Sequence, residues 1–270
     1  MNDNKNNNRI ELRGVTVQLG DRVVLEGMDL AVPEGKVTAV MGPSGSGKTT
    51  VLKAITGQVP ISAGEIRVGD VFVNQLSARK LNDMRRNIGM LLQNGALFTD
   101  LTSFDNVALP LREHTRLPET LIRKVVLTKL HAVGLRGAAE LYPRELSGGM
   151  NRRIALARAL ALDPNIMLYD EPFTGLDPIS MGAAVRLIRQ INDVLGITSV
   201  VVTHDVTEVP RFADYCYIIS DRKVVAQGTP AELENIDDGV VHQFIQGLPD
   251  GPVPFHYPAP DYTRDLLERH

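Results

Sequence analysis

Cysteine is almost absent: the 270 residues contain Cys216 alone. No intramolecular disulfide can brace the chain, which fits a reducing compartment. No apolar run approaches 18 residues, so no membrane-spanning helix is encoded. The opening Met-Asn-Asp-Asn-Lys-Asn-Asn-Asn has no apolar segment and does not read as a secretory signal. Neither charge sign dominates, because 29 Lys and Arg against 32 Asp and Glu leave −3. Nothing there suggests a broad nucleic-acid or anionic-lipid surface, so no nucleic-acid partner is expected. What is present is apolar side chain, 43% of residues. That is enough to offset ordering entropy and build one large core or two unequal lobes. The expectation is a soluble cytosolic protein.

Residues 1–8 read as a flexible Asn-rich lead. Ile10, Leu12, Val15, Val17 and Leu19 then alternate with polar residues, slipping once at Gly14, as in a bulged half-buried strand. Further strands are expected over Val23–Val32, Lys36–Met41, Gly64–Val73 (broken at Gly69-Asp70) and Ile88–Leu92. Lys48–Thr56 is a predicted helix ended by Gly57. From Ser103 to about Leu162 the period is helical. Pro118 suits a first helical turn and Gly134 a stop. Alternation then returns: strand Ile166–Tyr169, helix Ile179–Val194, strand Ser199–Thr203, helix near Val206–Phe212. Strands Tyr215–Ile219 and Lys223–Gln227 follow, with Thr229-Pro230 opening one more helix. This pattern predicts an α/β fold with a largely parallel, covered sheet, interrupted by a helical insertion. Pro249, Pro252, Pro254, Pro258 and Pro260 mark residues 247–270 as a tail, loose or laid along a partner surface, and argue against a helix there.

Gly42-Pro43-Ser44-Gly45-Ser46-Gly47-Lys48-Thr49 fits the G-x-x-x-x-G-K-S/T phosphate loop, placed between a strand and a helix. The glycines let main-chain N–H groups turn inward onto a phosphate, and the helix adds its positive end. Lys48 supplies a point charge to the β- and γ-phosphates; the Thr49 hydroxyl can ligate Mg²⁺, with Thr50 beside it. The strand Ile166-Met167-Leu168-Tyr169 ends in Asp170, suited to hold Mg²⁺, and Glu171, suited to activate water as general base. Ser147-Gly148-Gly149 opens a long helix with uncovered amides. It is either a second anion site or an ordinary cap with a flexible entry. His204 follows a strand and is a candidate to contact a γ-phosphate and orient water. Gln93 ends another strand and can sense Mg²⁺ or water. Asp177, in Gly175-Leu176-Asp177-Pro178, is a helix N-cap, a bridge between two copies, or both.

The order of phosphate loop, glutamine, Leu146-Ser147-Gly148-Gly149-Met150, Asp-Glu strand, LDP segment and histidine resembles the nucleotide-binding subunits of ATP-binding cassette (ABC) transporters. The resemblance covers about residues 9–246, with the helical insertion near 100–162. It implies a P-loop NTPase fold with a mixed sheet core and an antiparallel β edge. It also implies ATP and Mg²⁺ as cofactors, hydrolysis by Glu171, His204 and Lys48, and metal contacts from Thr49, Gln93 and Asp170. Two subunits would pack head to tail as a homodimer, with Ser147 and Gly149 of each serving the other's ATP. A membrane permease would dock beside Gln93. An aromatic that stacks on adenine in most of that family is replaced here by Leu19, and the usual small residues before LDP by Phe173-Thr174-Gly175.

Within the family, Gly95–Asp100, Phe104–Thr115 and Asp250–Phe255 are similar to ATPases of phospholipid transport. That likeness implies an integral-membrane permease, a STAS-domain protein and an MCE-domain lipid-binding protein as partners. It implies phospholipid as cargo between two membranes, and a position at the cytoplasmic face of the inner membrane. The alternatives are the same engine on another permease, a soluble cassette protein, and a nucleotide-binding regulator without turnover.

Overall fold

A computed structural model describes residues 8–236, 238–253 and 262–267. Strands β1 (Asn8–Leu19), β2 (Arg22–Pro33) and β3 (Val37–Met41) lead into helix α1 (Lys48–Ile55). Strands β4 (Ala63–Val68) and β5 (Val71–Phe72), helix α2 (Ala78–Arg85) and strand β6 (Ile88–Leu91) follow. Helices α3 (Ser103–His114), α4 (Glu119–Ala132) and α5 (Gly148–Ala159) then run with no strand between them. Next come β7 (Ile166–Asp170), α6 (Pro178–Leu195), β8 (Thr198–Thr203), β9 (Tyr215–Ser220) and β10 (Lys223–Gly228). The described chain closes with α7 (Pro230–Leu233), α8 (Gly239–Gln246) and α9 (Tyr262–Leu267).

The central sheet has the order β10-β9-β3-β8-β7-β6. It is parallel except for the β9–β10 hairpin. A second, antiparallel sheet has the order β2-β1-β4-β5. β1 breaks register between Leu12 and Val15, at the glycine where its alternation slips. Strands β3, β7 and β8 are buried at every position, as a parallel sheet covered on both faces requires. Their side chains divide by period two. Ala39, Met41, Met167 and Tyr169 face the layer holding α3 to α6, whereas Val40, Leu168, Val200 and Val202 face α1 and the antiparallel sheet. Val51, Leu52 and Ile55 anchor α1 on the second layer, each burial contributing about 1.5–3 kcal/mol.

Register places the site. Met41 pairs with Thr203, and Asp170 with Val202, so β3, β8 and β7 end on one level. The residues after those ends are Gly42, His204 and Glu171. Parallel strands gather their carboxyl ends this way, and the crevice beyond them is where ligands of such sheets bind.

Several local expectations give way. Asn8 belongs to β1, and the remainder of the Asn-rich lead lies outside the described residues. Helix α2 went unread because none of its residues is fully buried and only Leu81 and Met84 pack on the core, too few to mark an apolar stripe. Pro118 is the N-cap of α4, in extended conformation, and the helix begins at Glu119. The helix expected over Val206–Phe212 shrinks to a 3₁₀ turn at Val209–Arg211, where Pro210 lacks the N–H a longer helix needs. The tail does hold a helix, α9, which begins after its last proline. Phe255 and Tyr257, the tail aromatics able to anchor it on a partner surface, lie outside the described residues, and Tyr262, the third, is exposed. No helix among the described residues is long and apolar enough to cross a membrane. Cys216 is buried on β9, where desolvation pushes its thiol up to about 12.

Candidate nucleotide-binding and hydrolysis site

The loop from Gly42 to Thr49 joins β3 to α1, and two of its glycines are required by close approach. A Cβ on Gly42 would stand 2.2 Å from the Ile219 carbonyl oxygen, and one on Gly47 2.7 Å from Leu25 Cδ2. Gly47 is also the left-handed N-cap of α1, with φ 100°. Only glycine allows both the turn and the contact. Lys48 is buried, and its Nζ donates to the carbonyls of Gly42 (2.8 Å) and Pro43 (3.0 Å). Burial lowers its pKa; the nearby Glu171 carboxylate, with Oε1 3.6 Å away, opposes that shift. The Ser46 hydroxyl is buried with no partner among the described residues, a donor waiting in the wall of the loop.

Asp170 ends β7 and accepts a hydrogen bond from the Thr49 hydroxyl at 2.8 Å. Burial raises its pKa, and the Thr49 bond counters that. The donor set suits magnesium: two cis oxygens at about 2.0–2.1 Å from one Mg²⁺ lie about 2.9 Å apart. Among the described residues no cluster of three or more His, Cys, Asp or Glu can hold a metal. An ion here would draw its remaining ligands from the Gln93 amide oxygen, phosphate and water.

Glu171 has φ 49°, a left-handed conformation uncommon for a residue with a side chain. Its N–H still donates to Val202 O at 2.9 Å, so the reversal happens while the main chain stays tied to β8. This turn sends Glu171 away from the direction a continuing strand would impose. Its Oε2 lies 2.8 Å from His204 Nδ1 and 3.3 Å from the His204 amide nitrogen. Strain of this kind persists where surrounding contacts fix it, and here they do.

Gly45, Gly47, Lys48, Thr49, Thr50, Gln93, Glu171 and His204 line one polar cavity of about 370 Å³, together with Arg22 and Val24. Beside it a cleft of about 1170 Å³ continues past Pro43, Ser44 and Ser46 to Leu19, which is 46% exposed. The same cleft is lined by the β9–β10 turn (Ser220, Asp221, Arg222), Val240, Pro252 and Val253. Gln243 pins that last segment, donating to Val253 O at 3.0 Å and accepting from Val253 N at 2.8 Å. The two spaces together suit a polyphosphate at one end and a flat, weakly polar group at the other.

Ser147, Gly148, Gly149 and Asp177 line neither space. Ser147 caps α5, its Oγ accepting from Met150 N at 3.2 Å. Asp177 caps α6, accepting from Ile179 N at 3.0 Å and Ser180 N at 3.1 Å. The two caps lie close together: a Cβ on Gly149 would touch Ser180 Oγ at 3.3 Å and Leu176 at 3.7 Å. Ile179 beside them is 86% exposed.

The sequence places a turn at Ser220–Arg222 between its two strands, but not at the site; Arg22, Val24, that turn and the Gln243 contact all reach the site through tertiary packing, which no spacing announces. Asp221 and Arg222 both take positive φ in that turn although neither is glycine.

Residues 25–174, more than half of the chain, match the family model described as ABC transporter. The chain is 57% identical over 97% of its length to the intermembrane phospholipid transport system ATP-binding protein MlaF of Haemophilus influenzae, covering 100% of that protein. Its identity to the protein of the same name from Escherichia coli K12 is 52%, over 96% of this chain and 97% of that one. Among solved structures, a dimeric ABC cassette in a post-hydrolysis state bound to ADP and Pi aligns with TM-score 0.75 and 33% identity. That alignment covers 82% of this chain and 98% of the other. The phosphate loop, the helical insertion and the strand-end carboxylates thus have one explanation: the chain belongs to the ATP-binding cassette transporter family.

Proposed function

We propose that this chain is the ATP-hydrolysing, energy-coupling subunit of a transporter that moves phospholipid between the inner and outer membranes, maintaining outer-membrane lipid asymmetry. The observation that carries the hydrolytic part is the convergence of Lys48, Thr49, Gln93, Glu171 and His204 on one cavity, with Asp170 bonded to Thr49. The cargo is supported by likeness along nearly the whole chain to relatives named for intermembrane phospholipid transport.

In this reading Lys48 turns from the carbonyls of Gly42 and Pro43 towards the β- and γ-phosphates. Thr49 and Asp170 would hold magnesium, which when bound neutralises charge on the phosphates. Gln93 stands at the same cavity and would reach the ion or the attacking water. Glu171 takes a proton from that water, aimed by His204. Leu19 and the cleft beside it would receive the base through apolar contact. Ser147, Gly148, Gly149 and Asp177 would serve the nucleotide of a second copy packed head to tail. Their exposure on one face, away from their own phosphate loop, supports that role.

A permease would dock beside Gln93, where a groove of about 540 Å³ past Arg85, Met90, Pro110 and His114 is also lined by Arg158, which holds the loop after Gln93 at Gly95 and Ala96. A STAS-domain protein and an MCE-domain protein complete the assembly, which holds the chain at the cytoplasmic face of the inner membrane. The test is to tag the full chain, extract native membranes in mild detergent, and identify co-purifying proteins and lipids by mass spectrometry. A permease with STAS and MCE partners and bound phospholipid is the expected result. A different permease discards the cargo, no membrane partner discards transport, and failure of the purified chain to release phosphate from ATP discards the engine.

A further inference from the structure

The guanidinium of Arg152 ties together three main-chain segments. Arg152 lies on α5, three residues beyond Gly149. Its Nη1 donates to the carbonyl oxygens of Pro172 (2.9 Å) and Thr174 (2.7 Å), and its Nη2 donates to Gln93 O (2.7 Å). Pro172 directly follows Glu171, and the Thr174 hydroxyl reaches back to Glu171 Oε2 at 3.4 Å. Burial lowers the pKa of the guanidinium, and the two bonds from Nη1 are part-buried, where water competes less well. Further along α5, Arg158 repeats the pattern on Gly95 O (2.9 Å) and Ala96 O (2.8 Å). The loop after Gln93 is therefore held to α5 at two points, but only Arg152 also holds the loop between Glu171 and Asp177.

We infer that Arg152 is a positioning residue that couples the two ATP sites of a cassette pair, transmitting within each chain the engagement of its own nucleotide to the helix that meets its partner's. The inference rests on the head-to-tail reading given above. In that reading the first turn of α5 belongs to the partner's ATP, while Gln93 and Glu171 belong to the chain's own. Any shift of α5 on engaging the partner's nucleotide either carries Gln93 and Pro172 with it or breaks three charge-assisted bonds. A guanidinium suits the task because its planar fork sends N–H groups in fixed, divergent directions to two loops at once. Lysine offers one point of charge, and glutamine only one amide NH₂.

The test is the MgATP dependence of phosphate release by the full-length chain and its Arg152→Gln and Arg152→Lys variants, with Glu171→Gln run alongside. Two coupled sites allow a Hill coefficient up to 2. The parent is expected above 1. Arg152→Gln should fall to about 1, with turnover down roughly tenfold and affinity for a fluorescent ATP analogue within about twofold, as loss of a coupling term predicts. Arg152→Lys should lie between, and equal melting temperatures would show that each variant is folded. A parental Hill coefficient retained in both variants, whatever their turnover, makes Arg152 a local brace and overturns the inference. So does a non-cooperative parent. The Glu171→Gln arm separates the two readings: if it dimerises with ATP while the variants keep parental cooperativity, only the coupling role of Arg152 fails. If it stays monomeric, the head-to-tail reading fails and the inference with it.

Discussion

Nδ1 of His204 stands 2.8 Å from Oε2 of Glu171, although 33 residues separate them in the chain. With the carboxylate ionised, that contact requires the proton on Nδ1, so the imidazole serves as a donor that fixes where Glu171 points. The other carboxylate oxygen faces Lys48 at 3.6 Å. Glu171 is thus held between a ring that aims it and a cation that neighbours the phosphates.

Glu171→Gln removes the proton acceptor but keeps the shape of the side chain. Phosphate release should fall by about 10²–10⁴-fold, the range of a lost general base, with ATP binding retained. Size-exclusion chromatography in ATP should show a trapped dimer. A monomer that still hydrolyses ATP would remove Glu171 from the chemistry.

His204→Ala should act on turnover and spare binding. Without the 2.8 Å contact Glu171 is free to pivot, and kcat should drop by roughly 10–100-fold, as when a general base loses its orientation. KM for ATP should stay within about threefold, because a loss confined to the transition state leaves it unchanged. A raised KM with unchanged kcat would instead assign His204 to phosphate binding.

Asp170→Asn should trade function for stability. The folded state raises the pKa of Asp170, chiefly by burial. It therefore binds its proton more tightly than the unfolded chain, and its contribution to stability falls as pH rises through the folded pKa. At pH 7.5, without nucleotide, the variant should melt higher, on the order of 2–4 °C for each kcal/mol regained. The gain should shrink as pH falls below the folded pKa, where the parent's carboxyl is protonated as well. Magnesium-dependent phosphate release should be lost at every pH, as a calorimetric melt paired with a phosphate assay would reveal.

Leu19→Tyr should tighten ATP binding. Leu19 sits half-exposed at the far end of the cleft from Lys48. A ring there adds a stacking contribution of about 0.5–1.5 kcal/mol, or about 2–10-fold in Kd. Titration with ATP and with GTP checks both the size and the base preference, and an unchanged ATP affinity would place the base elsewhere in the cleft.

Truncation after Gln246 removes Pro252 and Val253 from that cleft and leaves the Gln243 amide without its partner. Complex assembly should weaken if the tail engages a neighbour. Nucleotide affinity should also fall, by about 2–5-fold, as expected for one lost apolar contact. An affinity equal to the parent's would show that the wall contributes nothing to binding.

The residues that do local work announced themselves in the sequence. Gly42 to Thr49 carries its chemistry in eight consecutive positions, and the apolar run ending at Asp170 and Glu171 states both the buried strand and its polar end. The insertion is legible because α3 and α4 each bury one helical stripe, Val107, Ala108 and Leu111, then Ile122, Val126 and Leu130. Helix α2, which has no fully buried residue, left no such trace. Tertiary structure alone decided what meets what. The register of β3, β8 and β7 delivers His204 to Glu171, and the turn at Glu171 separates its task from that of Asp170. Arg152 reads in the sequence as one more basic residue on a helix. Its three acceptors are main-chain carbonyls, which every residue type carries. Side-chain patterning determines which faces are buried, but contacts to main-chain groups are chosen only when the folded chain brings those groups within reach.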